Sequence, residues 1–378
     1  MLKKVCSLIL AVVLTCASAV IASADNEGLI SAPSGVLMEA STGKVLYEKN
    51  AHEKRPCASI TKVMTLLLVF EALDSGRLHL DDTITASEHA ASMGGSDIWL
   101  EPGEEMSADD MIKATVVASA NDAAVALAER VSGSEEAFVA QMNRRAAELG
   151  MRDTVFKNCN GLDEEGHITS AYDVALMSRE LCRHKAVFGY TSIWLDTLRD
   201  GKTQIVNTNK LLKTYNGITG LKTGTTDDAG CCISATATRD GMSLIGVVLG
   251  ADTGKQRFAD AAALLDHGFA NYDVKELKVP EELPKQLAVR EGMEKQVGIG
   301  CEVTANAVLN KASSDEPQPE IELPDSLEAP VLEGEKVGEV VYRVGSDELR
   351  FPVTAERDVS RLSYRLVFIR LWEALLRV

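Results

Sequence analysis

Basic residues are scarce: the 378-residue chain sets 39 lysines and arginines against 56 aspartates and glutamates, a formal net charge of −17. Nucleic-acid binding draws its affinity from clustered Lys and Arg that displace counterions. No such stripe is present, so no nucleic-acid partner is expected. An anionic small substrate is not excluded, because a few cations in a cleft can set the local potential against the net charge. Six histidines and eight cysteines form no CxxC or Cys/His spacing, so neither zinc nor any other cofactor is expected. Internal repeats and low-complexity tracts are also missing. What is abundant is apolar residue, 46% of the chain, enough for one sizeable core plus a second, smaller domain.

The N-terminus reads as a signal peptide over residues 1–24. Lys3 and Lys4 supply the positive start, residues 8–20 an apolar stretch too short for a spanning helix, and Ala22-Ser23-Ala24 a small-residue cleavage site. The mature chain is expected to begin at Asp25, exported to the extracytoplasmic face of a bacterial cell membrane. Cys6 and Cys16 leave with the signal. Export permits disulfides, but a chain this large does not need them, and the remaining six cysteines are expected to be small buried thiols.

Residues 34–50 alternate apolar and polar on both sides of Ser41-Thr42-Gly43, the pattern of a β-hairpin. Residues 59–73 are apolar nearly all round, which predicts a buried central helix with Ser59 at its start. Residues 108–131 are helical but interrupted at Ala118-Ser119-Ala120-Asn121. Further helices are predicted from the Ser134 cap to Gly150, over 170–184 and over 253–269. Two antiparallel strands are predicted over 231–237 and 242–249, joined by Arg239-Asp240-Gly241. This order suggests an α/β (α+β) layered sheet whose outer strands come from opposite ends of the segment. The composition changes near Tyr272, so residues 25–272 are assigned to one domain. Residues 273–357 carry short β-rich runs split by Pro and Gly, a small all-β sandwich-like domain, with 311–324 read as a loop. The tail, 358–378, is amphipathic. Arg370, Glu373 and Arg377 share one side of a helical wheel, and Val367, Phe368, Leu371, Trp372, Leu375 and Leu376 cover the rest. Charges at these intervals argue against a span and for a helix lying on the membrane surface.

Three short motifs occur in order: Ser59-Ile60-Thr61-Lys62, Ser119-Ala120-Asn121 and Lys222-Thr223-Gly224. Each alone is weak, SxxK being expected by chance about once in a chain this size. Their weight lies in placement. A Ser and a Lys three positions apart share one side of a helix, so the amine reaches the hydroxyl. At a helix start, the macrodipole favours an anion forming during attack. Apolar neighbours predict burial of Lys62, and burial lowers an amine's pKa toward that of a usable base. Ser119 and Asn121 break an apolar helical pattern, a cost that a cleft explains. Lys222-Thr223-Gly224 just precedes the predicted strands, and Gly224 would let a substrate backbone approach closely.

The three motifs resemble those of the penicillin-recognising serine hydrolases, the group of β-lactamases and DD-peptidases. Longer strings narrow the resemblance: Ala58-Ser59-Ile60-Thr61-Lys62-Val63-Met64-Thr65, Ser119-Ala120-Asn121-Asp122-Ala123-Ala124, Gly220-Leu221-Lys222-Thr223-Gly224, Asn160-Gly161-Leu162 and Asn207-Thr208-Asn209-Lys210-Leu211-Leu212. They look like the D-alanyl-D-alanine carboxypeptidases among the low-molecular-weight penicillin-binding proteins. That resemblance implies an antiparallel sheet flanked by helices, stem peptides of peptidoglycan ending in D-Ala-D-Ala as substrate, and β-lactams as covalent inhibitors. It also implies Ser59 as nucleophile, Lys62 as general base, and Ser119 as proton relay to the leaving D-alanine. Asn121 would bond the substrate amide, the Ser59 and Thr225 N–H groups would form an oxyanion hole, and Lys222, Thr223 and Arg257 would face the terminal carboxylate. The rival readings are a class A-like β-lactamase and a non-catalytic wall-binding module. The first lacks its Glu-x-x-Leu-Asn string between Asn121 and Lys222, and the second has no need of both Ser59 and Lys62.

Overall fold

The computed structural model describes residues 28–313, 316–345 and 347–376. The signal-peptide residues 1–24 and Arg377 lie outside them. The chain divides into two compact units between Ala270 and Asn271.

In the first unit, β1 (Ser34–Glu39) and β2 (Val45–Lys49) form the expected hairpin. Three later strands, β3 (Ile218–Thr226), β4 (Gly230–Arg239) and β5 (Met242–Ala251), complete an antiparallel sheet of order β2-β1-β5-β4-β3. The first hairpin thus pairs with the last strand of the segment, and β3 is left as a sheet edge. Asp240 and Gly241, with φ of 49° and 83°, make the tight β4–β5 turn.

The helical layer explains why the motif residues converge. Helix α1 (Lys62–Asp74) is buried over Lys62–Phe70 and Ala72, as an apolar run without a polar stripe requires. It starts three residues later than the sequence predicts, because Ala58–Thr61 is a 3₁₀ turn and Ser59 sits in that turn. After α2 (Ala108–Lys113), a π turn over Ala114–Ala118 ends at Ser119 in the left-handed conformation, φ 62°. Helix α3 (Asn121–Ser132) then starts afresh. The polar interruption of the apolar pattern is therefore a physical break. Ser134 caps α4 (Glu135–Glu148) by accepting from Ala137 N at 3.2 Å, and Ser170 caps α5 (Ala171–Leu181) by accepting from Asp173 N at 3.2 Å. Helix α6 (Gly254–Asn271) ends the unit. All six cysteines of the described chain are free thiols. Cys57, Cys159, Cys182 and Cys232 are buried, Cys231 and Cys301 half-buried.

The second unit holds a six-stranded sheet and a two-stranded ribbon of Tyr272–Glu276 with Asn306–Asn310. Its core gathers Val297, Val340, Val353 and Val359. Two sequence expectations are corrected here. The segment 311–324 is not all loop: Gln318–Glu322 is a strand, and Pro319 is tolerated because that strand lies at the sheet edge. The tail does not begin at 358 either. Val359 is buried and bridges to Val331, and Arg361 bridges to Gly292, so the chain leaves the β unit only after these residues. The terminal helix α7 is Tyr364–Leu376. No helix among the described residues is long and apolar enough to cross a membrane.

Candidate active site

The 3₁₀ turn at Ser59 is clamped by two glycines. A β-carbon on Gly224 would stand 2.7 Å from Cys57 O and 2.9 Å from Ser59 N, and one on Gly161 would collide with the Ala58 carbonyl. Strand β3 and the Asn160-Gly161 loop therefore both close on the Ser59 peptide, at a distance only glycine permits. Ala58 is held at φ 51°, a left-handed state that costs a non-glycine residue free energy and persists where the surroundings over-determine it. The role expected for Gly224 changes accordingly. Its missing side chain makes room for the turn that carries Ser59.

Lys62 is fully buried, and its Nζ lies 3.0 Å from Ser59 Oγ, 2.5 Å from Asn121 Oδ1 and 2.6 Å from the Asn160 carbonyl. Burial brings its pKa down to about 7, partly offset by nearby Cys159, Asp122 and Cys57. The neutral amine has two N–H bonds and one lone pair. Asn121 Oδ1 and the Asn160 carbonyl can only accept, so they hold the two hydrogens and leave the lone pair facing Ser59 Oγ–H. That is the arrangement a general base needs.

Asn121 is itself fixed. Its N–H donates to Ser96 O (2.7 Å) and its Nδ2 donates to Gly94 O (2.6 Å), which leaves the second Nδ2 hydrogen available. Its neighbour Asp122, a buried carboxylate, accepts from Ile98 N (3.1 Å) and Leu100 N (3.0 Å) and so ties the 94–100 loop to the start of α3. Ser119 is buried beside these groups, and its hydroxyl takes no partner among the described residues.

The Lys222 motif lies inside edge strand β3, not ahead of the strands as the sequence suggests. Lys222 is buried and donates to Thr223 O at 2.9 Å. Burial first, then Lys62 and Arg257, hold its pKa well below the ordinary lysine value. Thr223 Oγ1 donates to Thr208 Oγ1 at 2.6 Å. Arg257 Nη1 donates to Gly224 O (2.9 Å), Thr225 Oγ1 (3.0 Å) and Cys232 O (3.2 Å), while its buried Nε has no partner. No carboxylate pairs with Lys222 or Arg257 among the described residues, so two buried basic side chains stand beside the edge strand without an anion, and an incoming carboxylate would favour the charged form of Lys222. Thr225 follows Gly224 next to the Ser59 amide, so Ser59, Lys62, Asn121, Arg257 and the strand residues 222–225 belong to one cluster, with Ser119 two residues before Asn121 in the chain.

Sequence reasoning gave no role to four contributors. The Asn160 carbonyl and Gly161 act through backbone, which no side-chain pattern reveals; the quoted Asn160-Gly161-Leu162 string was the available signal. Thr208 and Asp122 lay in quoted strings in the same way. Neutral His167 adds a support: burial lowers its pKa to about 4, Lys157 N donates to its Nδ1 (3.2 Å), and Nε2–H therefore donates to Thr61 Oγ1 (2.8 Å) at the start of α1.

Residues 19–253 match the D-alanyl-D-alanine carboxypeptidase family, and residues 272–361 match the C-terminal domain of penicillin-binding protein 5. The chain is 43% identical over 342 residues to the D-alanyl-D-alanine carboxypeptidase DacF of Bacillus subtilis, covering 88% of this chain and 87% of that one. It is 32% identical to DacC of Escherichia coli, covering 91% of this chain and 87% of the relative. Among solved structures, penicillin binding protein 5 from Haemophilus influenzae superposes with a TM-score of 0.76 at 30% identity, covering 88% of this chain and 98% of that one. Penicillin-binding protein D2 from Listeria monocytogenes, in its ampicillin-bound form, gives a TM-score of 0.58 at 35% identity over 64% of this chain and 98% of its own.

Proposed function

This chain belongs to the D-alanyl-D-alanine carboxypeptidase family, removing the terminal D-alanine from peptidoglycan stem peptides, and from that premise we propose how its residues divide the work. The observation that carries the assignment is the Lys62 amine, buried, lowered to about 7 and aimed at Ser59 Oγ by two acceptors. Lys62 takes the Ser59 proton as Oγ attacks the carbonyl carbon of the penultimate D-alanine. The Ser59 and Thr225 N–H groups receive the oxyanion, a role supported by the close approach of β3 to the Ser59 amide. Ser119 passes a proton to the departing D-alanine nitrogen as the peptide bond breaks, and water then hydrolyses the Ser59 ester. The substrate extends along the free edge of β3, where Thr223 bonds it and Lys222 and Arg257 attract its carboxylate. The free Nδ2 hydrogen of Asn121 donates to a substrate amide carbonyl. A β-lactam acylates the same Ser59.

The setting proposed for this chemistry is the extracytoplasmic face of a bacterial membrane, reached by the N-terminal signal and held through α7 lying on the lipid surface, with a part in maintaining cell shape. A fluorescent penicillin assay followed by measurement of released D-alanine tests the assignment. Ser59→Ala should abolish both signals and leave the fold intact, since one hydroxyl in a turn contributes little packing. Full labelling of that variant would place the nucleophile elsewhere, and rapid turnover of penicillin by the unaltered protein would indicate a β-lactamase.

A further inference from the structure

Trp99 is 78% exposed and adopts φ 56°, a conformation in which a bulky side chain is an outlier. Its neighbours are not mobile. Ile98 and Leu100 are buried, and both their N–H groups are held by the Asp122 carboxylate. The loop is thus pinned on each side of the one residue it turns outward. It also leans on the catalytic cluster: Gly94 O and Ser96 O hold Asn121, and Met93 Sδ accepts from Asn160 Nδ2 at 3.4 Å. Two residues before Trp99 stands Asp97, half-buried and without a cation partner among the described residues. Burial first and the Asp122 charge second raise its pKa, a cost that an incoming cation would relieve.

We infer that Asp97 and Trp99 form a subsite for an ammonium-bearing side chain of the peptide substrate, upstream of the two D-alanines. The Asp97 carboxyl accepts from the Trp99 backbone N–H, and a carboxylate held two residues from an exposed indole is the chemistry that selects an ammonium, by charge and by cation–π attraction. The cleft then has polarity: buried Lys222 and Arg257 meet the carboxylate end, and the Asp97–Trp99 rim meets a cation farther along the same peptide. Asp122 is a positioning residue in this scheme, since it sets both the loop and the start of α3.

This inference rests on the carboxypeptidase reading, and the test separates the two. Release of D-alanine is followed from Nα-acetyl-L-lysyl-D-alanyl-D-alanine and from the same peptide with its side-chain amine acetylated. The unaltered protein should favour the free amine by about tenfold in kcat/KM, mostly through KM. In Trp99→Ala and in Asp97→Asn that ratio should fall toward one, whereas Trp99→Phe should keep most of it. Penicillin labelling of each variant reports an intact Ser59 site. Equal use of the two peptides by the unaltered protein, or a ratio unmoved by either substitution in labelled protein, overturns the subsite. Failure to release D-alanine from either peptide overturns the underlying reading, and the subsite with it.

Discussion

At the scale of single residues, the base role proposed for Lys62 ties the chemistry to its protonation state. With a pKa of about 7 its amine is charged below that pH and carries no lone pair, and above it the neutral form predominates. The kcat/KM for a peptide substrate should therefore rise with pH through a limb near 7 and level off, the reverse of a site needing charged lysine at that position. Lys62→Arg should remove this limb and lower acylation by about 10²–10⁴-fold, because a guanidinium does not deprotonate in the working range. A limb unchanged in that variant would assign the titration to another group. Lys222 and Arg257 make a separate prediction. Each is buried without a carboxylate, so amidating the substrate's C-terminus should cost about 1.5–3 kcal/mol, on the order of ten- to hundredfold in kcat/KM. Equal rates for acid and amide would remove both from carboxylate recognition. The Ser59–Lys62 pair was legible in sequence because both reside in one short segment whose apolar context forecasts burial. The commitment of Asn121 to Lys62 and Gly94 was not, since its partners come from segments 59 and 27 residues away in the chain.

At the scale of elements, the site is made by three backbones meeting where side chains are absent. Gly224 on β3 and Gly161 in its loop both abut the turn that carries Ser59. Gly224→Ala would force a β-carbon against Cys57 O and Ser59 N, and either the strand or the turn would have to move. A displacement near 1 Å at reacting atoms costs about 10²-fold in rate, so both penicillin acylation and D-alanine release should fall by roughly that factor. Gly189→Ala is the control: a β-carbon there meets nothing within 4 Å, and activity should be retained. Equal activity of the two variants would show that the turn tolerates displacement. The same packing explains what sequence could and could not foretell. Periodicity located the β1–β2 hairpin, the paired strands β4 and β5, and the break at Ser119, because those are local patterns of burial and turn chemistry. It placed the start of α1 at Ser59, whereas the turn there is imposed by Gly161 and β3 from far along the chain. It left Lys222-Thr223-Gly224 outside the strands because a buried lysine and a glycine lack the usual strand signature, although the edge of the sheet accommodates them.

At the scale of the whole molecule, the acidic balance of the chain coexists with a candidate site holding buried Lys222 and Arg257, and the terminal helix raises the question of what its apolar surface meets. Phe368, Trp372, Leu375 and Leu376 are all exposed on α7, with the Phe368 and Trp372 rings stacked at 6.3 Å. Each such side chain contributes about 1.5–3 kcal/mol when fully buried, reduced by partial immersion and by ordering, which suffices for reversible binding to a lipid interface. Exposed Arg365, together with Arg370 and Arg377 in the sequence, would meet anionic headgroups, so high salt should weaken attachment without abolishing it. The cut that tests this belongs after Ser363. Removal after Asp358 would also take Val359 from the core of the β unit, and a loss of stability would then be confused with a loss of anchoring. Protein ending at Ser363 should stay in the supernatant when sedimented with liposomes containing anionic lipid, while the protein carrying α7 sediments with them. Both should release D-alanine at the same rate from a soluble peptide, because every group proposed for catalysis or substrate binding at the two D-alanines lies between Ser59 and Arg257. Equal sedimentation of the two would deny α7 its membrane role, and a truncated protein with a lowered melting temperature would make that helix part of the fold.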